Sequence, residues 1–160
     1  MKAIGIINIA LGGLYIVMNL IGLLIIYIEK IIFSSLQNAP VKDFMPFDMG
    51  AYMSDLFNLM LISVPVSIIA YGMLLLGGVK ILNKNESGFR LTKTSSWIII
   101  VWFIVYMVYS YLTISPYFES FIGNSVLMIL LFIVGGLIGF VFTCGYPIFL
   151  LIYFNKPRQF

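Results

Sequence analysis

Four long runs of apolar residues follow one another along the chain, separated by shorter polar segments. They span about 3–28, 59–82, 96–115 and 125–154. Each run exceeds the roughly 18 to 20 apolar residues that a helix needs to cross about 30 Å of hydrocarbon. None has the period-two alternation of a barrel strand, and backbone in hydrocarbon must bond to itself in a helix or closed barrel. The pattern predicts an all-α membrane protein, a bundle of four transmembrane helices forming one domain over residues 1–160.

The polar segments divide into one long connection and several short ones. The first connection, residues 29–58, is long enough to hold structure, and its second half interleaves apolar with acidic residues. That spacing favours a short amphipathic helix lying on the outer membrane surface or capping the bundle. The second connection, residues 83–95, is short and basic. We interpret 29–58 as an outer loop and 83–95 as a cytoplasmic loop.

Composition supports membrane integration, since 62% of the residues are hydrophobic and only 9% are charged. Charge also orients the bundle, because Lys and Arg near span ends stay on the cytoplasmic side. With both termini inside, only Lys30 and Lys42 lie outside. The inner basic residues are Lys2, Lys80, Lys84, Arg90, Lys93, Lys156 and Arg158. We therefore predict a multi-pass plasma-membrane protein with cytoplasmic termini, in which Lys84, Arg90, Lys93, Lys156 and Arg158 face anionic lipid headgroups.

Small and amide residues form a polar stripe along the first span, at steps of three and four that place them on one helix face. The stripe consists of Gly5, Asn8, Gly12, Tyr15, Asn19 and Gly22. Helices in lipid associate through close packing of small residues and through interhelical hydrogen bonds. We expect partner surfaces at Ser63 and Ser67 in the second span and at Gly135 and Gly139 in the fourth. We interpret the stripe as a surface that holds the first helix against its neighbours.

Several kinds of reactive chemistry have no residues to support them. The chain contains no histidine, the commonest general base and catalytic metal ligand, and it has a single cysteine. No ionisable residue falls in the middle of a predicted span, which removes the standard machinery of proton-coupled carriers. We therefore predict a protein that is not an enzyme, has no cofactor and binds no nucleic acid.

Methionines in the outer loop raise one metal hypothesis. Met45, Met49 and Met53 are four residues apart, so a helix would bring their thioethers toward one face. Soft sulfur ligands favour Cu(I), whereas methionine is also a flexible hydrophobe for adaptable contacts. We favour contact with lipid or a partner over copper.

The run GMLLLGGVKILNKNESGFRLTKTSSW, residues 72–97, adds a resemblance. It resembles the join between the second and third spans in uncharacterised bacterial four-helix membrane proteins, where a glycine-containing helix ends in a basic loop and an aromatic residue starts the next helix. The resemblance implies the four-helix architecture and a prokaryotic plasma membrane. It implies no activity and no functional residue.

Two functional hypotheses follow from these patterns. The first is a non-enzymatic membrane protein that acts through helix and loop contacts, as an accessory or assembly subunit or as a small homo-oligomer, with lipids and other membrane subunits or its own copies as partners. The alternative is a small transporter or channel with a weakly polar path along the first two spans. That path would run past Asn8, Tyr15, Asn19, Ser63 and Ser67.

Overall fold

The computed structural model describes residues 1–36, 48–123 and 125–155, which form four helices. They are α1 (Lys2–Leu36), α2 (Met49–Leu82), α3 (Ser87–Ile122) and α4 (Ser125–Asn155). Each helix is long and apolar enough to cross a membrane. The predicted all-α, four-span architecture is confirmed at this level, and the chain is a multi-pass membrane protein.

All four helices are longer than a membrane requires. They contain 35, 34, 36 and 31 residues, or about 45–55 Å at 1.5 Å per residue, against about 30 Å of hydrocarbon. The start of α3 differs from the prediction, because the helix begins at Ser87 inside the expected loop 83–95. The helix continues through this polar stretch because Thr92, Ser95 and Ser96 face the bundle and are fully buried. The connection between α2 and α3 is therefore only residues 83–86.

The expected short amphipathic helix in the outer loop is also corrected. Residues 49–58 of that loop form the first turns of α2 and are continuous with it, and residues 29–36 are the last turns of α1. Asp48 is the N-cap, and its carboxylate accepts a hydrogen bond from the backbone N–H of Ala51 at 3.0 Å. Because Met53 and Val64 are both buried and lie eleven residues apart, about three helical turns, the same face packs on the bundle before and within the predicted span. Residues 37–47 of the loop lie outside the described residues.

Consecutive helices pack antiparallel, α1 on α2, α2 on α3 and α3 on α4. Gly5 lies against Leu82 and Gly22 against Met60, so α1 and α2 run in opposite directions. Lys93 donates a 2.6 Å hydrogen bond to the side-chain oxygen of Asn155, which places the end of α4 beside the start of α3. The start of α1, the 83–86 connection and the end of α4 thus share one end of the bundle, which we call the basic end.

The core is concentrated toward the basic end. One buried cluster joins all four helices and comprises Ile4, Ala70, Tyr71, Leu74, Ile81, Ile99 and Leu150. The remaining faces of α1 and α4 expose Leu, Ile, Val and Phe side chains, which suits contact with lipid. In the described residues α1 and α4 are linked by two hydrogen bonds, both donated by tyrosine hydroxyls.

Candidate functional site

The glycines of the polar stripe let α1 approach α2 closely. A Cβ at Gly12 would lie 2.7 Å from the carbonyl oxygen of Tyr71, and one at Gly5 would lie 2.9 Å from the Leu82 side chain. A Cβ at Gly22 would lie 3.1 Å from the methyl carbon of Met60. The three stripe glycines therefore lie on the face of α1 that packs on α2.

Asn8 links three helices through a fully buried amide. Its Nδ2 donates to Thr92 Oγ1 of α3 at 3.1 Å, and its Oδ1 accepts from the hydroxyl of Tyr146 in α4 at 2.6 Å. Asn8 and Thr92 are both 0% exposed. We call these three residues the Asn8 network. Its hydrogen bonds remove the cost of burying an amide, roughly 2 to 7 kcal/mol when no partner is present.

Close backbone contacts and further hydrogen bonds surround the Asn8 network. A Cβ at Gly78 would lie 2.6 Å from the carbonyl oxygen of Gly5, and one at Gly88 would lie 2.8 Å from the carbonyl oxygen of Gly77. The Ser95 hydroxyl donates to the Ala70 carbonyl at 2.7 Å. The Ser96 hydroxyl donates to the Thr92 carbonyl at 2.9 Å. This end of the bundle is densely packed, and its polar groups are paired.

Sequence reasoning missed much of this region. Thr92 and Ser95 belong to the polar run predicted to be a loop, whereas Ser96 is the first residue of the predicted third span. Tyr146 is not predicted as a partner of Asn8. The paired glycines 77 and 78, followed by Gly88, were the available signal, since small residues mark close helix approach.

Above the Asn8 network, toward the opposite end, the four helices enclose a cavity of about 220 Å³. Four residues of the hypothesised transport path line it, namely Tyr15, Asn19, Ser63 and Ser67. The fifth, Asn8, lies in its network and not on the cavity wall. The structure thus brings together most of the path residues, but as a cavity bounded on one side by paired groups.

Tyrosine forms the wall between the cavity and the network. The rings of Tyr15 and Tyr71 stack with centroids 4.4 Å apart and planes 4° from parallel. The Tyr15 hydroxyl donates to the carbonyl oxygen of Phe142 in α4 at 3.2 Å. Asn19 donates from Nδ2 to the Tyr15 carbonyl at 2.7 Å, a bond within α1 that leaves its Oδ1 free to accept.

Four hydroxyl groups on the cavity wall lack a hydrogen-bond partner among the described residues. They belong to Ser67, Tyr71, Tyr106 and Thr143. No fully buried side-chain polar atom in the described ranges lacks a partner, so these hydroxyls keep some accessible surface. Hydroxyls facing hydrocarbon without partners are costly, so a molecule able to accept or donate hydrogen bonds would be stabilised in this cavity.

The size and charge of the wall restrict what fits. Its twelve residues include aromatic rings from three helices and no Asp, Glu, Lys or Arg. An apolar cavity of about 150 Å³ is large enough to bind benzene. The cavity therefore suits a small uncharged molecule with a ring and hydrogen-bonding groups.

The fourth-span prediction needs one correction. Gly139 lies against α3, since a Cβ there would be 3.4 Å from the Phe103 ring. Gly135 does not contact another helix, because a Cβ there would meet no atom within 4 Å, whereas one at Gly136 would lie 2.4 Å from Met107. Adjacent residues differ by about 100° around a helix, so the packing face passes through Gly136 and leaves Gly135 exposed.

The remaining predicted sites lie away from the cavity. Lys84 and Arg90 are exposed at the basic end, where Lys93 bonds to Asn155. Met49 and Met53 lie one turn apart in α2, and Met53 is buried. Lys156, Arg158 and Met45 lie outside the described residues. Headgroup contact and copper binding stay predictions.

No protein-family model matches the chain, and no curated protein or solved structure matches it. The feature that combines enclosure, aromatic walls and unpaired polar groups is the cavity.

Proposed function

We propose that this chain is a non-enzymatic integral membrane protein that acts by binding, and that its ligand occupies the cavity between the four helices. The observation that carries the proposal is the set of unpaired hydroxyls on an uncharged, aromatic wall. In the Asn8 network, by contrast, the buried amide and hydroxyls are hydrogen-bonded to one another. The contrast supports a wall adapted to a ligand.

Binding also explains the chemistry of the wall better than conduction does. A hydrated pore needs a continuous polar path, but the Asn8 network and the stacked rings of Tyr15 and Tyr71 close the basic end of the cavity. The chain has no histidine, and the wall has no carboxylate to act as a general base. A recognition site is the simplest function that uses these residues.

An accessory subunit is the second candidate, favoured by a groove between α3 and α4. The open groove has a volume of about 450 Å³ and is lined almost entirely by apolar side chains, among them Met107 and Leu137. A transmembrane helix of another subunit, or of a second copy, would fill such a groove. This candidate is compatible with ligand binding in the cavity, since the groove faces outward.

The proposed location is a prokaryotic plasma membrane, with both termini in the cytoplasm. The basic end carries Lys2, Lys80, Lys84, Arg90 and Lys93, and the excess of Lys and Arg on short segments predicts the cytoplasmic side. In this orientation the cavity lies on the side of the Asn8 network that is farther from the cytoplasm.

One purification tests both candidates. The protein is extracted from its native membrane in mild detergent, its intact mass is recorded, and bound small molecules are recovered with organic solvent. We expect an uncharged small molecule with the wild-type chain and with Ile69→Phe, which changes a lipid-facing residue of α2. Ser67→Phe fills the cavity from the same helix and should lose that molecule.

The outcomes separate the candidates. A small molecule that remains bound to Ser67→Phe would contradict the cavity site. So would a wild-type protein whose intact mass is that of the 18.1 kDa chain or a multiple of it, with no extractable compound. A stoichiometric foreign subunit would establish the accessory role. Thr143→Leu, which adds bulk from α4, provides a second cavity variant if Ser67→Phe does not fold.

A further inference from the structure

The way the helices close around the cavity indicates how a ligand reaches it. Chain-consecutive helices are tied near both ends of the bundle. Between α1 and α2, Gly5 lies against Leu82 near one end. Near the other end, the ring centroids of Tyr27 and Phe57 are 5.7 Å apart. These contacts hold α1 against α2 near both ends of the bundle.

The same is true of the other two consecutive pairs. Between α2 and α3, Ser95 bonds to the Ala70 carbonyl and the Tyr117 hydroxyl donates to Asp55 at 2.6 Å. Between α3 and α4, rings pack at three levels, and the pairs are Phe89 with Phe154, Phe103 with Phe140 and Tyr111 with Phe132. Three sides of the cavity are therefore closed by packed helices.

The fourth side, between α1 and α4, is different. Its two hydrogen bonds in the described chain are those from Tyr15 to the Phe142 carbonyl and from Tyr146 to Asn8. Both lie at or on the basic side of the cavity. From Tyr15 toward the opposite end, α1 and α4 share no hydrogen bond or ring contact within the described residues. We call this stretch the α1–α4 opening.

We infer that the cavity is loaded sideways from the bilayer through the α1–α4 opening, and that its ligand is a lipophilic molecule with an uncharged, hydrogen-bonding ring. This inference rests on the proposed function. The opening faces hydrocarbon, so a molecule that uses it must dissolve in the membrane. The free hydroxyls of Ser67 and Thr143 and the free oxygen of Asn19 then bind the polar part of the ring, while its apolar tail remains in lipid.

Tyr15 has a specific place in this route. Of the two hydrogen bonds that join α1 to α4 in the described residues, the one donated by the Tyr15 hydroxyl lies nearer the cavity. The Tyr15 ring stacks on Tyr71 at the end of the cavity that faces the Asn8 network. Removing the hydroxyl loosens the junction but keeps the stacked ring. Loading should then become faster, with little change in the wall itself.

A single-tryptophan protein provides the test. The chain has two tryptophans, of which Trp97 is exposed and Trp102 lines the cavity. Trp97→Phe leaves Trp102 as the reporter in phosphatidylcholine vesicles. Two probes that quench tryptophan through bromine are compared: para-bromophenol, uncharged at neutral pH, and its ortho-hexadecyl derivative, whose chain confines it to the bilayer.

We expect saturable quenching of Trp102 by both probes, and loss of the saturable component in Ser67→Phe and in Thr143→Leu. Collisional quenching from the lipid would be unsaturable and unaffected by these variants. In stopped-flow mixing, Tyr15→Phe should accelerate quenching by the hexadecyl probe roughly fivefold, the factor that matches loss of one hydrogen bond. Tyr27→Phe is the matched control on α1, because its ring packs on Phe57 away from the cavity.

Each result separates the inference from the function on which it rests. Saturable quenching by para-bromophenol alone would overturn loading from the bilayer and leave the cavity site intact. Absence of variant-sensitive quenching by either probe would overturn both. An unchanged rate in Tyr15→Phe would contradict the α1–α4 opening as the route.

Discussion

The basic-end half of the bundle and the cavity half use the same polar residue types for opposite purposes. In the basic-end half, the side chains of Asn8, Thr92 and Ser95 are buried and hydrogen-bonded across helices. In the cavity half, the hydroxyls of Ser67 and Thr143 face open space and have no hydrogen-bond partner among the residues that the structure describes. Asparagine and serine in a membrane helix therefore show their role only through what surrounds them.

The difference also concerns packing density. Glycines allow backbones to touch in the basic-end half, where the Gly78 Cβ position lies 2.6 Å from the carbonyl oxygen of Gly5. In the cavity half, bulky rings such as Trp102 and Tyr106 hold the helices apart. Close packing fixes the fold at one end and leaves room for a ligand at the other.

The largest expected effect comes from adding one methyl group at a glycine in the closely packed basic-end half. Gly78→Ala should lower the free energy of unfolding by about 1–3 kcal/mol or more, because backbone atoms of α1 must move. Gly72→Ala is the control, since a Cβ there meets nothing within 4 Å, and it should leave stability unchanged or slightly higher. The fraction of monodisperse protein after heating in detergent measures both. Equal loss in the two variants would contradict the close approach of α1 and α2.

The next largest change in stability is expected from replacing the asparagines of α1. Asn8→Leu leaves Thr92 and Tyr146 without their shared partner and should cost about 1–2 kcal/mol. Asn19→Leu removes a bond to its own helix and should change stability by less than about 0.5 kcal/mol, while weakening para-bromophenol binding to the cavity.

A double-mutant cycle refines the asparagine prediction. Combining Asn8→Leu with Tyr146→Phe should cost less than the sum of the two single changes, because both remove the same 2.6 Å hydrogen bond. Thermal unfolding midpoints of the four proteins provide the measurement. Strict additivity would show that the bond does not join α1 to α4.

The smallest expected changes in stability are those of two serine substitutions. Ser95→Ala loses a buried 2.7 Å bond to the Ala70 carbonyl and should cost about 0.5–1.5 kcal/mol. Ser67→Ala loses no hydrogen bond to any described residue, so its stability should stay within about 0.5 kcal/mol of wild type. Binding should respond in the reverse order, with para-bromophenol affinity lowered only by Ser67→Ala. A Ser67→Ala protein with unchanged affinity would contradict the hydroxyl's role in binding.

Hydrophobic patterning predicted the helices because length and apolarity are local properties of the sequence. It placed the start of α3 nine residues too late, since the polar run around Arg90 and Lys93 resembles a loop. In the bundle these long side chains reach outward while Thr92 faces inward, so the helix continues. Helix ends depend on tertiary contacts that a local pattern does not contain.

The candidate site was predictable only in part. Spacing placed Tyr15 and Asn19 on one face of α1, and both line the cavity. Spacing gave no sign that Asn8, on the same stripe, would be bonded to Thr92 and Tyr146, because those partners are 84 and 138 residues away in the chain. Tyr106 and Thr143 became part of a site only when four helices were assembled.

Cys144 provides a natural reporter of how often α4 separates from the other helices. It is the chain's single cysteine, and its side chain is 0% exposed between the packed helices. A small thiol reagent can therefore label it only when α4 separates from the rest of the bundle. The labelling rate would follow the population of opened molecules without an engineered cysteine.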